Sequence, residues 1–157
     1  MRIGHGYDAH RFTENKKMIL GGVEIEYEYG LLAHSDGDVL CHAVMDALLG
    51  AAGMGDIGAL FPDTDMEFKD IYSMKLLEKV MAEVRKAGFE VEYIDSTVIA
   101  QQPKLKKYIP QIRETLARYA GIPVELYNVK ATTEEKMGFT GRLEGISAHA
   151  VCILRNK

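Results

Sequence analysis

With 157 residues, 47% hydrophobic and 27% charged, the chain has the make-up of an ordinary globular protein and the length of one domain with a real core. A formal net charge of −4 gives no broad electrostatic reason to bind nucleic acid or an anionic membrane, so any phosphate must be met locally, by a metal, a helix N-terminus or single basic side chains. No apolar run reaches membrane-spanning length and no charged-then-apolar leader opens the chain, so the expectation is a cytoplasmic protein that engages neither nucleic acid nor membrane.

Residues 1–13 read as a strand, and within it Asp8 and His10, two apart, point to one face and can converge on an ion. Met18-Ile19-Leu20 leads through Gly21-Gly22 into Val23–Tyr27, which is hairpin material. The segment from Leu31 to Asp38 offers several caps, Ser35 and Asp36 among them, for a helix running from about Gly37 to Gly53. That helix carries His42. One carboxylate and two imidazoles suit zinc, and three protein ligands leave a fourth position for substrate. Cys41 adjoins His42, but consecutive helical residues do not face each other, so it reads as a small core residue. Asp38 and Asp46 are candidates to orient a metal-bound histidine.

Residues 55–70 form a long loop rich in glycine and aspartate, of the kind that is often functional. Ser73 is read as the cap of an amphipathic helix in which Met74, Leu77, Val80, Met81 and Val84 recur at helical spacing, closed by Gly88. Residues 89–101 alternate as a strand that Pro103 breaks, and Pro110 opens a helix over 111–120. Leu126 to Ala131 reads as a strand, Thr132 to Met137 as a short helical turn, and Leu143 to Leu154 as a final strand. Thr132 with Glu135 three residues on is a capping-box pattern, and a helix start there would also offer N–H groups to a phosphate. The order implies an α+β fold, one domain spanning 1–157, with a mixed β-sheet and helices packed on one face.

Four blocks then acquire a common meaning. Gly4-His5-Gly6-Tyr7-Asp8-Ala9-His10, His34-Ser35-Asp36-Gly37-Asp38, Gly55-Asp56-Ile57-Gly58 through Asp65, and Asn128 through Arg142 together resemble the 2-C-methyl-D-erythritol 2,4-cyclodiphosphate synthases, over essentially the whole chain. The resemblance implies a homotrimer with active sites between subunits. It also implies a reaction: 4-diphosphocytidyl-2-C-methyl-D-erythritol 2-phosphate, a cytidine diphosphate substrate, closes on itself and releases CMP.

By the same resemblance Asp8, His10 and His42 hold zinc. His34 and Thr133 assist the transition state, and Glu135 holds a second ion, magnesium or manganese, with the substrate phosphates. Ala9, Ser35, Asp56, Ile57 and Gly58, with the loop Phe61, Pro62, Asp63, Thr64 and Asp65, meet the ribose and methylerythritol parts. Ala100, Gln101, Gln102, Pro103, Lys104, Leu105 and Lys106 hold cytosine, and Thr132 and Glu134 flank the phosphate contact. Phe139 and Arg142, with Tyr7 and Glu144, resemble residues that line a cavity on the trimer axis, where an isoprenoid diphosphate would bind. Arg142 and Glu144 can equally be read as an inter-subunit salt bridge, and His5 and His149 as satisfied structural histidines. Two other readings stand beside the cyclase: a non-catalytic trimeric binder of isoprenoid diphosphates, and a metal-dependent phosphohydrolase, for which no water-activating base is evident.

Overall fold

A computed structural model describes all 157 residues. The scaffold is a five-stranded sheet of β4 (Gly30–Leu31), β1 (Arg2–Thr13), β7 (Gly145–Asn156), β5 (Phe89–Ile99) and β6 (Tyr127–Thr132), in that spatial order. All neighbours are antiparallel except β5 and β6, which are parallel and joined through α4 (Ile109–Ala120). A separate hairpin pairs β2 (Met18–Leu20) with β3 (Val23–Ile25). The remaining helices are α1 (Val39–Ala52), the single turn α2 (Ile57–Leu60), α3 (Ser73–Lys86) and the short α5 (Gly138–Gly141). No helix is long and apolar enough to cross a membrane.

Alternation along the strands makes the layers. Gly4, Gly6, Ile94, Val98, Ala148, Ala150, Cys152 and Leu154 are buried, whereas Ile3, His5, Tyr7, Tyr93 and Val151 are exposed on the opposite face. The helices therefore cover one face of the mixed sheet, as the order of elements implied. Helix α1 lies at the centre, with twelve of its fourteen residues buried, so it is apolar nearly all round. By contrast α3 and α4 are two-sided and bury only the stripes that include Met74, Leu77, Val80 and Met81, and Ile112, Leu116 and Ala120.

Two glycines set the distance between α1 and the sheet. A Cβ at Gly6 would lie 1.8 Å from the carbonyl oxygen of Ala43, and one at Gly4 would lie 1.9 Å from that of Ala47. The helix can therefore rest on the backbone of β1 itself, just before Asp8 and His10 in the same strand. Cys41 is wholly buried in the core, as its position beside His42 implied.

Four local expectations are corrected. Residues 132–137 form no helical turn: β6 runs on to Thr132, and Glu135 and Lys136 both adopt positive φ, which no helix start accepts. The Thr132–Glu135 capping box is accordingly absent, and the next helix begins only at Gly138. Ser73 does not cap α3; it is that helix's first residue, and its backbone N–H is taken by the Asp36 carboxylate, 2.8 Å away. Asp36 thus serves α3, while Asp38 caps α1 by accepting from Cys41 N.

Candidate metal centre and substrate clefts

Strand β1 presents Asp8 and His10 on its helix-covered face, and the close seat of α1 brings His42 above them. Asp8 Oδ2 lies 2.9 Å from His10 Nε2 and 3.1 Å from His42 Nδ1, and the two imidazole nitrogens are 3.1 Å apart. They form the one cluster of three ligand-type groups in the chain able to hold a metal ion. A carboxylate oxygen and two imidazole nitrogens are the donor set of a zinc-like divalent ion. His42 is almost sealed, at 9% side-chain exposure, while Asp8 retains 25% and faces open space.

Asp8 and His42 shift each other toward their charged forms. Burial alone would raise the Asp8 pKa, but hydrogen bonds from His10 and His42 outweigh it and keep the carboxyl well below its ordinary range. For His42, burial disfavours the cation, yet the hydrogen bond to Asp8 and the charges of Asp8, Asp38 and Asp36 raise its pKa above the ordinary 6.5. Such a site exchanges protons for a cation.

On its far side His42 Nε2 lies 3.1 Å from both Ser35 Oγ and Ser73 Oγ. Neither Asp38 nor Asp46 orients a histidine, contrary to expectation. Asp38 is fully buried and accepts from Gly21 N, Gly22 N and Cys41 N, tying the β2–β3 turn to α1; burial, then the Asp36 charge, push its pKa up to about 6 against those three donors. Asp46 accepts from Ile57 N at 2.8 Å and so anchors the start of α2.

The trio opens into a cleft of about 390 Å³, also lined by His34, Ser35, Ile57, Gly58, Phe61 and Asp63. Ala33, Phe68 and Leu76 complete the wall; as apolar residues on a loop, a short turn and a helix, they carry no chemical signal in the sequence. His34 Nε2 donates to the carbonyl of Asp65 at 3.0 Å, and the Asp65 carboxylate caps the turn at 66–68. Asp56 caps α2 through Ala59 N. Pro62, Thr64 and Asp65 belong to the same 61–65 loop but do not line the cleft, and Ala9 lies on the open face of the sheet.

A second cleft, of about 340 Å³, is lined by Ala100, Pro103, Lys104, Leu105, Lys106, Ile109, Ala131, Thr132 and Thr133. It has no lining residue in common with the first. Gln102 precedes Pro103 through a cis peptide bond, and Gln101 Oε1 accepts from Lys136 N, so the 100–103 segment and the 133–136 turn hold each other. Thr133 Oγ1 accepts from Glu135 N and donates to Glu135 Oε1, each at 3.2 Å, while Glu134 accepts from Thr140.

Phe139 lies in α5. Arg142 pairs with Glu144 of the same chain at 2.9 Å, so that bridge needs no second subunit. His5 Nε2 and His149 Nδ1 satisfy each other at 3.0 Å on the open sheet face.

The chain matches the model of the YgbB family over residues 1–155. It is a member of that family. A Nitrosococcus oceani protein named 2-C-methyl-D-erythritol 2,4-cyclodiphosphate synthase is 60% identical over 154 residues, 98% of each chain. A Clostridium acetobutylicum protein of the same name is 55% identical, over 98% of this chain and 99% of its own. Among solved structures, the bifunctional IspDF of Campylobacter jejuni superposes with a TM-score of 0.96 at 48% identity; this chain covers 42% of it. A 2C-methyl-D-erythritol-2,4-cyclodiphosphate synthase in a CDP-bound form gives a TM-score of 0.89 at 35% identity, covering 98% of this chain and 100% of that one. In this family member the two clefts and the cation site lie within a single fold.

Proposed function

We infer that the chain converts 4-diphosphocytidyl-2-C-methyl-D-erythritol 2-phosphate to 2-C-methyl-D-erythritol 2,4-cyclodiphosphate with release of CMP, acting as a phosphorus–oxygen lyase. The observation that carries the mechanism is the Asp8–His10–His42 cluster opening into a cleft, with the two serines that touch His42, Ser35 and Ser73, buried against the far side of its ring rather than exposed as a protein nucleophile. None is needed. The nucleophile is the substrate's own 2-phosphate oxygen, largely ionised at neutral pH because its second pKa is about 6. Alignment and charge neutralisation are what the protein must supply.

Asp8, His10 and His42 would hold zinc, and Glu135 with the substrate phosphates magnesium or manganese; bound there, such cations polarise the β-phosphate and neutralise its charge. His34, fixed by the Asp65 carbonyl, borders the cleft where the methylerythritol phosphate would lie. Ser35, Ile57, Gly58 and the 61–65 loop would frame that part of the substrate, with Asp56 holding the start of α2 in place. Thr133 would turn its hydroxyl from Glu135 to a phosphate oxygen, with Lys104 and Lys106 at the same cleft adding positive charge. Cytosine would be held by the backbone of 100–106.

Because the metal cleft and the Thr133 cleft share no residue, each complete site would combine one from each of two neighbouring subunits of a homotrimer. The exposed apolar side chains Ile3, Tyr7 and Val151 on the uncovered sheet face favour such an assembly. An isoprenoid diphosphate on the trimer axis, near Tyr7, Phe139 and Arg142, would have to compete with Glu144 for the guanidinium.

Phosphorus NMR of the protein with the diphosphocytidyl substrate, zinc and magnesium tests the reading. A cyclic diphosphate with CMP is expected; linear hydrolysis products would mark a phosphohydrolase, and unchanged substrate a binder. Chelator treatment, or His42→Ala, should remove zinc and turnover together, and full turnover in His42→Ala would overturn the metal assignment.

A further inference from the structure

We propose that Asp36 and Ser73 are positioning residues for the metal centre: they commit the ring of His42 to presenting Nδ1, not Nε2, to the ion. The inference rests on the reading of Asp8, His10 and His42 as zinc ligands. Ser73 is fully buried and stands thirty-one residues from His42 in sequence. Its hydroxyl donates to Asp36 Oδ1, and its backbone N–H donates to Asp36 Oδ2 at 2.8 Å. An ionised carboxylate only accepts, so the single hydroxyl proton of Ser73 is directed at Asp36. What Ser73 turns toward His42 Nε2, 3.1 Å away, is a lone pair.

Two lone pairs cannot face each other at that distance, so Nε2 keeps its hydrogen. Ser35 Oγ, also 3.1 Å from Nε2, accepts from Gly37 N and stands ready to share that hydrogen. In the metal-free chain Nδ1 gives its own hydrogen to Asp8; with that hydrogen displaced by an ion, Nδ1 is the nitrogen left to donate electrons, and it lies on the side of Asp8 and His10, 3.1 Å from each. Partners on the remote nitrogen of a metal-bound histidine set its tautomer and orientation in just this way.

The same strap includes backbone bonds from Asp36 N to Ile71 O and from Asp70 N to His34 O. The loop carrying His34 and Ser35 is thus fastened to the entry of α3, and the ring's support is anchored at both ends.

A simpler role for Asp36 is that it only caps α3, and the two roles separate experimentally. Asp36→Asn leaves an oxygen for the Ser73 N–H but turns an amide donor toward the hydroxyl. Ser73 must then direct its proton at Nε2, and the ring is driven to carry hydrogen on Nδ1. Ser73→Ala removes the acceptor altogether. Both variants should bind zinc roughly 10- to 100-fold more weakly in chelator competition, and Ser73→Thr, which keeps a hydroxyl, should recover most of the affinity.

The ring itself can be read in the wild-type, zinc-loaded protein by nitrogen-15 NMR. A bonded hydrogen on His42 Nε2 with a metal-shifted Nδ1 is expected, and coordination through Nε2 overturns the proposal however the variants fold. Lowered melting temperature with unchanged zinc affinity in both Asp36→Asn and Ser73→Ala marks a cap alone and also overturns it. A wild-type chain that takes up no zinc, or a His42→Ala chain that still takes it up, removes the underlying metal assignment instead.

Discussion

His42 is buried, and burial by itself would lower its pKa; the contact with Asp8 reverses the sign. A histidine whose folded pKa is raised contributes stability that is fully present below the unfolded value, near 6.5, and is lost as pH climbs through the folded one. The metal-free protein should therefore become more stable on acidification from pH 8 toward 6, followed as the urea midpoint. Asp8→Asn should flatten that rise, because the neutral amide no longer favours the imidazolium; an unchanged slope would remove Asp8 as its cause. Asp38 acts in a lower window. Its pKa is raised from 3.8 to about 6, so it favours the folded state progressively as pH falls from about 6 toward 3.8. That separation keeps the two readable in one titration. With zinc present the dependence at His42 inverts, since the ion competes with the proton, and zinc affinity should fall as pH drops through the raised pKa.

At the scale of elements, the site depends on how closely α1 sits on β1. Gly6→Ala would push a methyl against the Ala43 carbonyl, and backbone cannot swing aside as a side-chain tip can. A loss of about 3 kcal/mol or more is expected in urea unfolding, with weakened zinc uptake because His42 rides on the displaced helix. Gly50→Ala, on the same helix, is the control: its Cβ would meet nothing nearer than the His5 carbonyl at 4.0 Å. There the better helix former should stabilise by about 0.5–1 kcal/mol. Equal losses at both positions would show that close approach is not what Gly6 provides. Asp46→Ala should release Ile57 N and loosen α2, raising KM while leaving zinc stoichiometry intact. The long periodic elements were legible in the sequence, since apolar spacing reports which face is covered. Asp8, His10 and His42 were legible as a group by ligand type and strand spacing, and the resemblance then tied that group to a substrate. The capping assignments were not. Asp36 caps a helix thirty-seven residues away, and a long-range cap leaves no local pattern. At 132–135 the pattern was present, yet positive φ at Glu135 and Lys136 turns the chain so that Thr133, rather than Thr132, accepts from Glu135 N. Local spacing cannot reveal a turn that the neighbouring Gln101 side chain helps to hold through Lys136 N.

For the whole molecule the deciding fact is that the Asp8–His10–His42 cleft and the Thr133 cleft share no lining residue within one chain. If each site is completed by a neighbour, two inactive variants must complement. His42→Ala disables the metal end, and Thr133→Ala disables the phosphate end; each homotrimer should be nearly inactive. In trimers assembled at random from equal amounts of both, a site works when its metal end comes from a Thr133→Ala subunit and its phosphate end from a His42→Ala subunit. Both conditions hold for about a quarter of the sites, so co-expression should restore about a quarter of wild-type turnover. A site built within one chain would carry one lesion or the other in every subunit, and mixing would restore nothing. Val151→Lys sharpens the outcome, because it places a charge on the uncovered sheet face among Ile3 and Tyr7, where a partner subunit would have to desolvate it. Sedimentation should then shift from trimer toward monomer and turnover should fall with it, while zinc uptake persists, because all three ligands belong to one chain. A monomer that keeps full turnover would confine the site to a single subunit.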